Sequence, residues 1–404
     1  MAKSKQLIIR ASELFDGERL CGKRSVVVED GKIVDVLSKA LKADYEGIVT
    51  PAFIDPHSHI GMFRAGEPDG EQEGNDHIAQ ITPAHDPLDS VYFDDRTFQE
   101  AVAAGVLYSC IIPGSGNLFG GRAKVIRNFV RHRGEAEVLD FGYKMALGHN
   151  PRATTGWRGQ RPNTRMGVYA MLEKEFDEVL RKLEKAELDQ DRKYSELKEK
   201  SLSEEVFAER SEQLEREFSL TFTSDDMFLL DALSGNKTIK IHVHKEDDVL
   251  YLLHLKEKYD LKVSAEHCGA VHNIEIFRML KKAGVPVVFG PLGGYDYKTE
   301  LRHAYAENAG LLYKCGGLFG LMTDHPVIHA SGLRESTRFF LHAGMKEEEA
   351  LSLLTKRNAE IIGLGDYLGS IESGKVASLL VWDREPFHLA AKPTVVVAEG
   401  KVIS

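Results

Sequence analysis

Phe53-Ile54-Asp55-Pro56-His57-Ser58-His59 is the stretch on which the reading of this chain turns. It is an apolar run that starts just after Pro51 and ends in two histidines separated by one residue. In a strand, residues two apart point to the same face, so His57 and His59 project together. Two imidazoles on one rigid strand supply half of a metal site with little ordering cost. Taken alone, an HxH pair fits paired core or surface histidines equally well. Its place at the end of an apolar strand is what matters, because the same device recurs further on.

Lys240-Ile241-His242-Val243-His244 is again HxH on a strand-like run, Val263-Ser264-Ala265-Glu266-His267 ends another, and Leu321-Met322-Thr323-Asp324-His325 ends the last. Between them, strand-like and helical stretches alternate. AFIDPHSHI is followed by a helical pattern over Phe98–Ala104, then GVLYSCII, then a helical VIRNFVRH, then VLDFGYKMALG. TIKIHVH, a helix over Asp248–Tyr259, KVSAEHC, a helix over Asn273–Ala283, VPVVFG and GLFGLMTDH follow. Strands separated by helices of this length predict βα units and a parallel sheet. About eight units fit between residues 51 and 360, which predicts a closed (β/α)8 TIM barrel of the α/β class. The polar groups then stand at strand C-terminal ends, the face on which such barrels build active sites. Imidazoles with one carboxylate suit Zn²⁺ or a similar first-row ion.

The two ends of the chain read alike. Ser25–Val36 (SVVVEDGKIVDV) and Thr394–Ile403 (TVVVAEGKVI) each place an acidic residue and a glycine between apolar runs, the signature of a hairpin. A lone hairpin is marginal in water, so the two are expected to pack together. This predicts a composite β-sandwich domain from residues 1–50 and 360–404 around a barrel of residues 51–359. From about 171 to 220 the chain is dense in Glu, Lys and Arg, with a thin leucine stripe, which reads as a charged helical insertion in one βα loop. It is either a solvated excursion, a lid or an oligomer contact.

With 404 residues, 43% hydrophobic and 28% charged, the chain has material for such a barrel and a second module. A formal net charge of −10 without a basic patch argues against nucleic acid. No run approaches the roughly 20 apolar residues of a membrane span, and Leu7–Ile9 is too short for a secretory apolar region. Cys21, Cys110, Cys268 and Cys315 lie far apart, and the expectation is reduced thiols in a cytoplasmic protein.

Lys144 stands in the apolar run Leu139–Met145. A lysine facing a barrel interior is costly unless paired or neutralised. Carbamate formation with CO₂ would make it an anionic bridging ligand, whereas at a strand end it could snorkel to solvent. Pro113–Asn117 and Gly120-Gly121-Arg122 follow the second strand. Their glycines let backbone approach a ligand, and Arg122 could clamp a carboxylate, or the stretch is a turn with a solvated arginine. Asn117, Arg165 and His325 are further candidates for substrate contact, while His272, His303 and His329 receive no role.

This set resembles the amidohydrolase superfamily over nearly the whole chain. TPAFIDPHSH (50–59) is similar to its opening motif. GYKMALGHNPR (142–152) followed by NTRMG (163–167), IHVHKEDD (241–248), AEHCGAVH (265–272) and LMTDHPV (321–327) are similar to a subgroup near the imidazolonepropionase-like and dihydroorotase-like enzymes. The resemblance implies a distorted (β/α)8 barrel with a β-sandwich from both ends, and two divalent metal ions, zinc or alternatively Mn, Fe or Ni. It implies that His57 and His59 bind one ion and His242 and His267 the other. Carboxylated Lys144 bridges the two, Asp324 touches metal and attacking water, and His244 contacts substrate. It further implies a homo-oligomer. Two positions depart from the pattern: His149 stands where Glu is expected, which implies different substrate contacts there, and Ser378 replaces the Asp that follows Ala377's counterpart.

The chemistry expected is hydrolysis of a C–N bond in a small-molecule amide, cyclic amide or N-acyl amino acid, with Asp324 moving the proton. A dipeptidase stays within that class. A cyclic amidine deaminase would carry Glu three residues after His242, where this chain has Lys245. A metal-free scaffold on the same fold would have lost ligands that this chain keeps.

Overall fold

The computed structural model describes residues 6–157, 159–294 and 298–404; residues 1–5, 158 and 295–297 of the expected domains lie outside them. The chain opens with β1 (Leu7–Leu14), β2 (Arg24–Glu29), β3 (Lys32–Leu37) and β4 (Tyr45–Pro51), then enters β5 (Phe53–Ser58). Helix α1 (Arg96–Ala103), β6 (Val106–Ile111), β7 (Phe119–Arg127), α2 (Arg133–Ala136) and β8 (Glu137–Ala146) follow. Next come α3 (Arg165–Lys198), α4 (Glu204–Ser219), α5 (Ser224–Leu233), β9 (Thr238–Val243), α6 (Glu246–Tyr259), β10 (Val263–His267) and α7 (Ile274–Lys282). The barrel ends with β11 (Val287–Phe289), α8 (Asn308–Cys315), β12 (Phe319–Leu321), α9 (Arg338–His342), α10 (Glu347–Leu354) and α11 (Lys356–Ile361). The chain finishes in β13 (Leu379–Trp382), β14 (Pro393–Ala398) and β15 (Lys401–Val402).

The two ends make one continuous seven-stranded sheet in the order β15-β14-β13-β4-β1-β2-β3. Both end hairpins turn on an acidic residue and a glycine with positive φ: Asp30 (47°) and Gly31 (81°), Glu399 (47°) and Gly400 (80°). That pair of left-handed positions is what a two-residue hairpin turn requires. The hairpin tips meet. A Cβ placed on Gly400 would stand 2.6 Å from the Cα of Gly31. The sheet thus rolls over a core of its own, with Ile9, Val26, Val28, Val49, Leu379 and Val381 inside.

The second sheet has eight strands in the order β12-β11-β10-β9-β8-β7-β6-β5. Helices lie outside it in the βα manner of a TIM barrel, and a second, larger core fills the space between. Its ends, β5 and β12, are joined by side chains. Asn358 of α11 donates from Nδ2 to the carbonyls of Ile54 (2.7 Å) and Leu321 (2.9 Å). Just beyond, the Asp324 amide donates to the His57 carbonyl (3.1 Å) and the His59 amide to that of His325 (3.1 Å).

One local expectation fails. VIRNFVRH does not form a helix: Val125–Arg127 completes β7, which runs antiparallel to both β6 and β8. Val125, Ile126, Phe129 and Val130 carry a spacing that a helix could use, but pairing with Ser109 and Cys110 of β6 takes the first two. Gly121 lets the loop at His85 lie against β7, since a Cβ there would stand 2.5 Å from the His85 carbonyl oxygen.

The charged insertion is a helical hairpin of α3 and α4, beginning at Arg165. The first half of α3 buries Val168, Leu172, Phe176 and Val179 against the barrel, whereas α4 buries none of its residues.

Candidate metal centre

The site stands at the C-terminal ends of the barrel strands. Period-two alternation puts His57 and His59 on the inner side of β5 and its exit. On β9 and its exit the same alternation sends Lys240, His242 and His244 inward. Register then sets neighbours side by side: Lys144 of β8 pairs with Lys240, and His242 pairs with Glu266 of β10. His267 and Asp324 reach the same space by leaving the extended conformation, with φ of 72° and 49°. Left-handed backbone in these residues is unfavourable by about 1 kcal/mol or more, and here it aims two functional side chains.

Each imidazole is oriented through a second contact. Nδ1 of His57 lies 2.7 Å from Oε2 of Glu266, that of His59 2.8 Å from the Ile112 carbonyl, and that of His267 2.9 Å from the Gly290 carbonyl. Carboxylates and carbonyls only accept, so Nδ1 carries the proton in all three and Nε2 presents a lone pair. Those lone pairs converge. Nε2 of His57 and of His59 lie 3.2 and 3.1 Å from Oδ1 of Asp324. Two lone-pair-bearing nitrogens facing a carboxylate oxygen is an arrangement that a cation satisfies and a hydrogen bond does not.

Burial sets the charges. It pushes the His57 imidazole down and that of His242 down to about 3, so both are neutral at physiological pH. Burial works against an ionised Asp324, and a divalent ion held beside it by the Nε2 lone pairs of His57 and His59 would offset that. Lys144 is fully buried, its Nζ has no hydrogen-bond partner, and burial pulls it down to about 8. Both ring nitrogens of His242, Nδ1 of His244 and Nε2 of His267 are likewise buried without hydrogen bonds.

Two groups of ligating atoms, each within 4.8 Å of one another, lie here: His242, His244 and His267, and His57, His267 and Asp324. Neutral imidazoles, an ionised carboxylate and an unpaired amine fit a first-row divalent ion, or two sharing the site. Above them opens a cavity of about 560 Å³. His59, His149, His242, His244, Lys298 and Asp324 form its polar wall. Phe63, Trp157, Leu292, Tyr305 and Phe339 form the apolar one.

Not every expected contact reaches this cavity. His149 and His244 line it, and Arg122, Asn117, Arg165 and His325 do not. Both arms of the Arg122 guanidinium are taken, by Asp86 (3.3 Å) and Asp140 (2.7 Å), so it is no clamp for a ligand carboxylate. Asn117 Nδ2 fastens the loop carbonyls of Asp76 and Ala79 (2.8 Å each). Arg165 pairs with Asp247 (2.6 Å) on the surface. His325 is buried, its imidazole pushed down to about 4 by that burial. Conversely, residues without an expected role stand close to the candidate ligands. Lys240 Nζ lies 3.0 Å from Oε1 of Glu266, with both side chains fully buried. Glu300 approaches His242 (3.8 Å) and is paired with Lys298 (2.7 Å). Lys240 was legible in principle, as it sits two residues before His242 on the same face of β9.

Residues 163–403 match the amidohydrolase family. A solved amidohydrolase from Thermotoga maritima superposes with a TM-score of 0.86 at 30% identity, covering 98% of this chain and 99% of that one. The amidohydrolase tasK of Hapsidospora irregularis is 27% identical over 399 residues, or 93% of this chain, which spans only 39% of that relative's length. A solved Xaa-Pro dipeptidase (13% identity, covering 99% and 100% of the two chains) and the ochratoxinase of A. niger (15%, covering 99% and 96%) each align with a TM-score of 0.58, a likeness of fold.

Proposed function

We propose that this chain, which belongs to the amidohydrolase family, hydrolyses a C–N bond in a small molecule: an amide, a cyclic amide or an N-acyl amino acid. One observation carries the reading. Ligating atoms of His242, His244 and His267, and of His57, His267 and Asp324, lie within 4.8 Å of one another on the floor of an open cavity, with His59 against Asp324 and the buried Lys144 close behind. In this reading His57 and His59 would hold one divalent ion, zinc or alternatively Mn, Fe or Ni, and His242 and His267 a second, with Lys144, converted by CO₂ to a carbamate, as an anionic ligand shared by the two. Such ions, when bound, lower the pKa of water toward about 7 and polarise a carbonyl.

The chain's own groups do the rest. Asp324 accepts the proton of the attacking water at a carboxylate oxygen and returns it to the leaving nitrogen. His244 and His149 orient the polar end of the substrate from the cavity wall. Phe63, Trp157, Leu292, Tyr305 and Phe339 exclude water and favour an apolar substituent on the substrate. A volume of about 560 Å³ also accommodates a dipeptide, which supports dipeptidase activity as a variant of the same chemistry. Lys245 at the start of α6 offers no carboxylate for the deaminase alternative.

Elemental analysis of protein purified without chelator tests the reading. About two ions per chain are expected, followed by turnover on a panel of amides, hydantoin-like rings, N-acyl amino acids and dipeptides. Protein that takes up no metal after incubation with zinc and bicarbonate overturns it.

A further inference from the structure

Behind the ligands lies a fully buried ion pair that the reaction does not touch. Glu266 accepts from three donors. Oε1 receives Lys240 Nζ (3.0 Å) and the Ser264 hydroxyl, and Oε2 receives the Nδ1–H of His57 (2.7 Å). Lys240, Glu266, Ser264 and His57 are all 0% exposed. We propose that Glu266, held by Lys240, is a positioning residue that fixes His57 in its Nδ1–H form and so sets how tightly the chain holds a divalent ion there. The consequence for metal rests on the centre assigned above; the tautomer does not.

Three observations carry the inference. Stability does not by itself call for such a pair, because buried ion pairs replaced by apolar residues of similar volume commonly leave a fold as stable or more so. The neighbouring imidazoles achieve the same orientation with backbone carbonyls, those of Ile112 and Gly290. Of these three ligand histidines, His57 has the charged acceptor. A carboxylate behind an imidazole raises its basicity toward a cation, and removing such a partner weakens metal binding by about 10–100-fold. The charge on Glu266 is in turn kept by Lys240, whose cross-strand neighbour Lys144 makes no hydrogen bond and leaves Glu266 to Lys240.

The donor count gives a sharp test. In Glu266→Gln the single amide oxygen is claimed by Lys240 and Ser264. The amide NH₂ then faces His57, which must accept at Nδ1 and carry its proton on Nε2, toward the metal. In the double variant Lys240→Met with Glu266→Gln, the oxygen is released to accept from His57 and the original tautomer returns. Two readouts follow: the tautomer of His57 in metal-free full-length protein, from long-range ¹⁵N-histidine NMR, and zinc affinity by competition with a chromophoric chelator. The expectation is a proton shifted to Nε2 and zinc held about 10–100-fold more weakly in Glu266→Gln, with both effects largely reversed in the double variant.

Glu266→Asp keeps the charge beside Lys240 and shortens the reach to His57. It is expected to show the same loss, and carries the test if Glu266→Gln fails to fold. His57 still protonated on Nδ1 and zinc affinity within about threefold of wild type in both variants overturn the positioning role. Wild-type protein that binds no zinc overturns the assignment of the centre itself, and with it the consequence for metal.

Discussion

Asp324 and Lys144 carry opposite kinds of strain. Asp324 has a left-handed backbone and a carboxyl that faces imidazole lone pairs, whereas Lys144 has an ordinary strand backbone and an amine without a hydrogen bond. Asp324→Asn keeps the shape and removes the proton acceptor; kcat is expected to fall about 10³-fold with an unchanged circular dichroism spectrum. Steady-state kinetics on an identified substrate checks this, and full turnover would rule the role out. Lys144→Met replaces a buried unpaired amine by an apolar chain of similar volume. Metal content is expected to fall from about two ions to one, while the melting temperature of the metal-free protein holds or rises. Elemental analysis and thermal melts of the same samples decide both halves.

The histidines were legible because a period of two and a strand end suffice to aim them. Glu266 and Lys240 obey that same period, yet a buried carboxylate or ammonium shows its purpose only once its partner on the neighbouring strand is known. Arg122 and Asn117 went the other way. Their local sequence promised a ligand, and groups brought in by the fold, Asp86, Asp140 and the carbonyls of Asp76 and Ala79, took their hydrogen bonds.

Between elements, the seam from β12 to β5 and the ties across β7, β8 and β9 do the holding. Asn358→Ala removes one donor from two buried carbonyls at once and is expected to lower stability by about 3 kcal/mol, measured by urea denaturation of the metal-free protein. Asp140 on β8 binds Arg122 of β7 and Lys237 (2.7 Å) at the entry to β9. Partial burial pulls its carboxyl upward, but those two cations outweigh it and hold it below the ordinary range.

A carboxyl lowered in the folded state contributes stability that is complete above its unfolded pKa of about 4. That contribution is lost as pH falls through the lower folded value. Asp140→Asn should therefore lower stability at pH 7 by about 1–2 kcal/mol, with the difference from wild type shrinking as pH falls below about 4. An equal difference at both pH values would refute this account. The strand and helix alternation was legible in the sequence, while the direction of β7 was not. An apolar run of that length serves a helix or a strand, and only the neighbours β6 and β8 decide.

At the scale of the whole molecule, the centre draws on residues from His57 to Asp324, so an ion there ties the first barrel strand to the last. Chelation is expected to lower the melting temperature and zinc to restore it in a concentration-dependent way, because a ligand that binds only the folded state stabilises by mass action. Differential scanning calorimetry with and without chelator measures this; coincident melts would mean that no such ion is held. Among the described residues no helix is long and apolar enough to cross a membrane.

The rolled sheet has a consequence for synthesis. Thr50 on β4 pairs with Leu380 on β13, more than three hundred residues later. At about 5–20 residues per second, a ribosome needs on the order of tens of seconds to deliver that partner. During this interval β1 to β4 stand with an open edge and an apolar face that nothing downstream has yet covered. The nascent chain is most prone to stick to its neighbours there, and a chaperone that holds these first strands would serve it better than one that waits for the barrel.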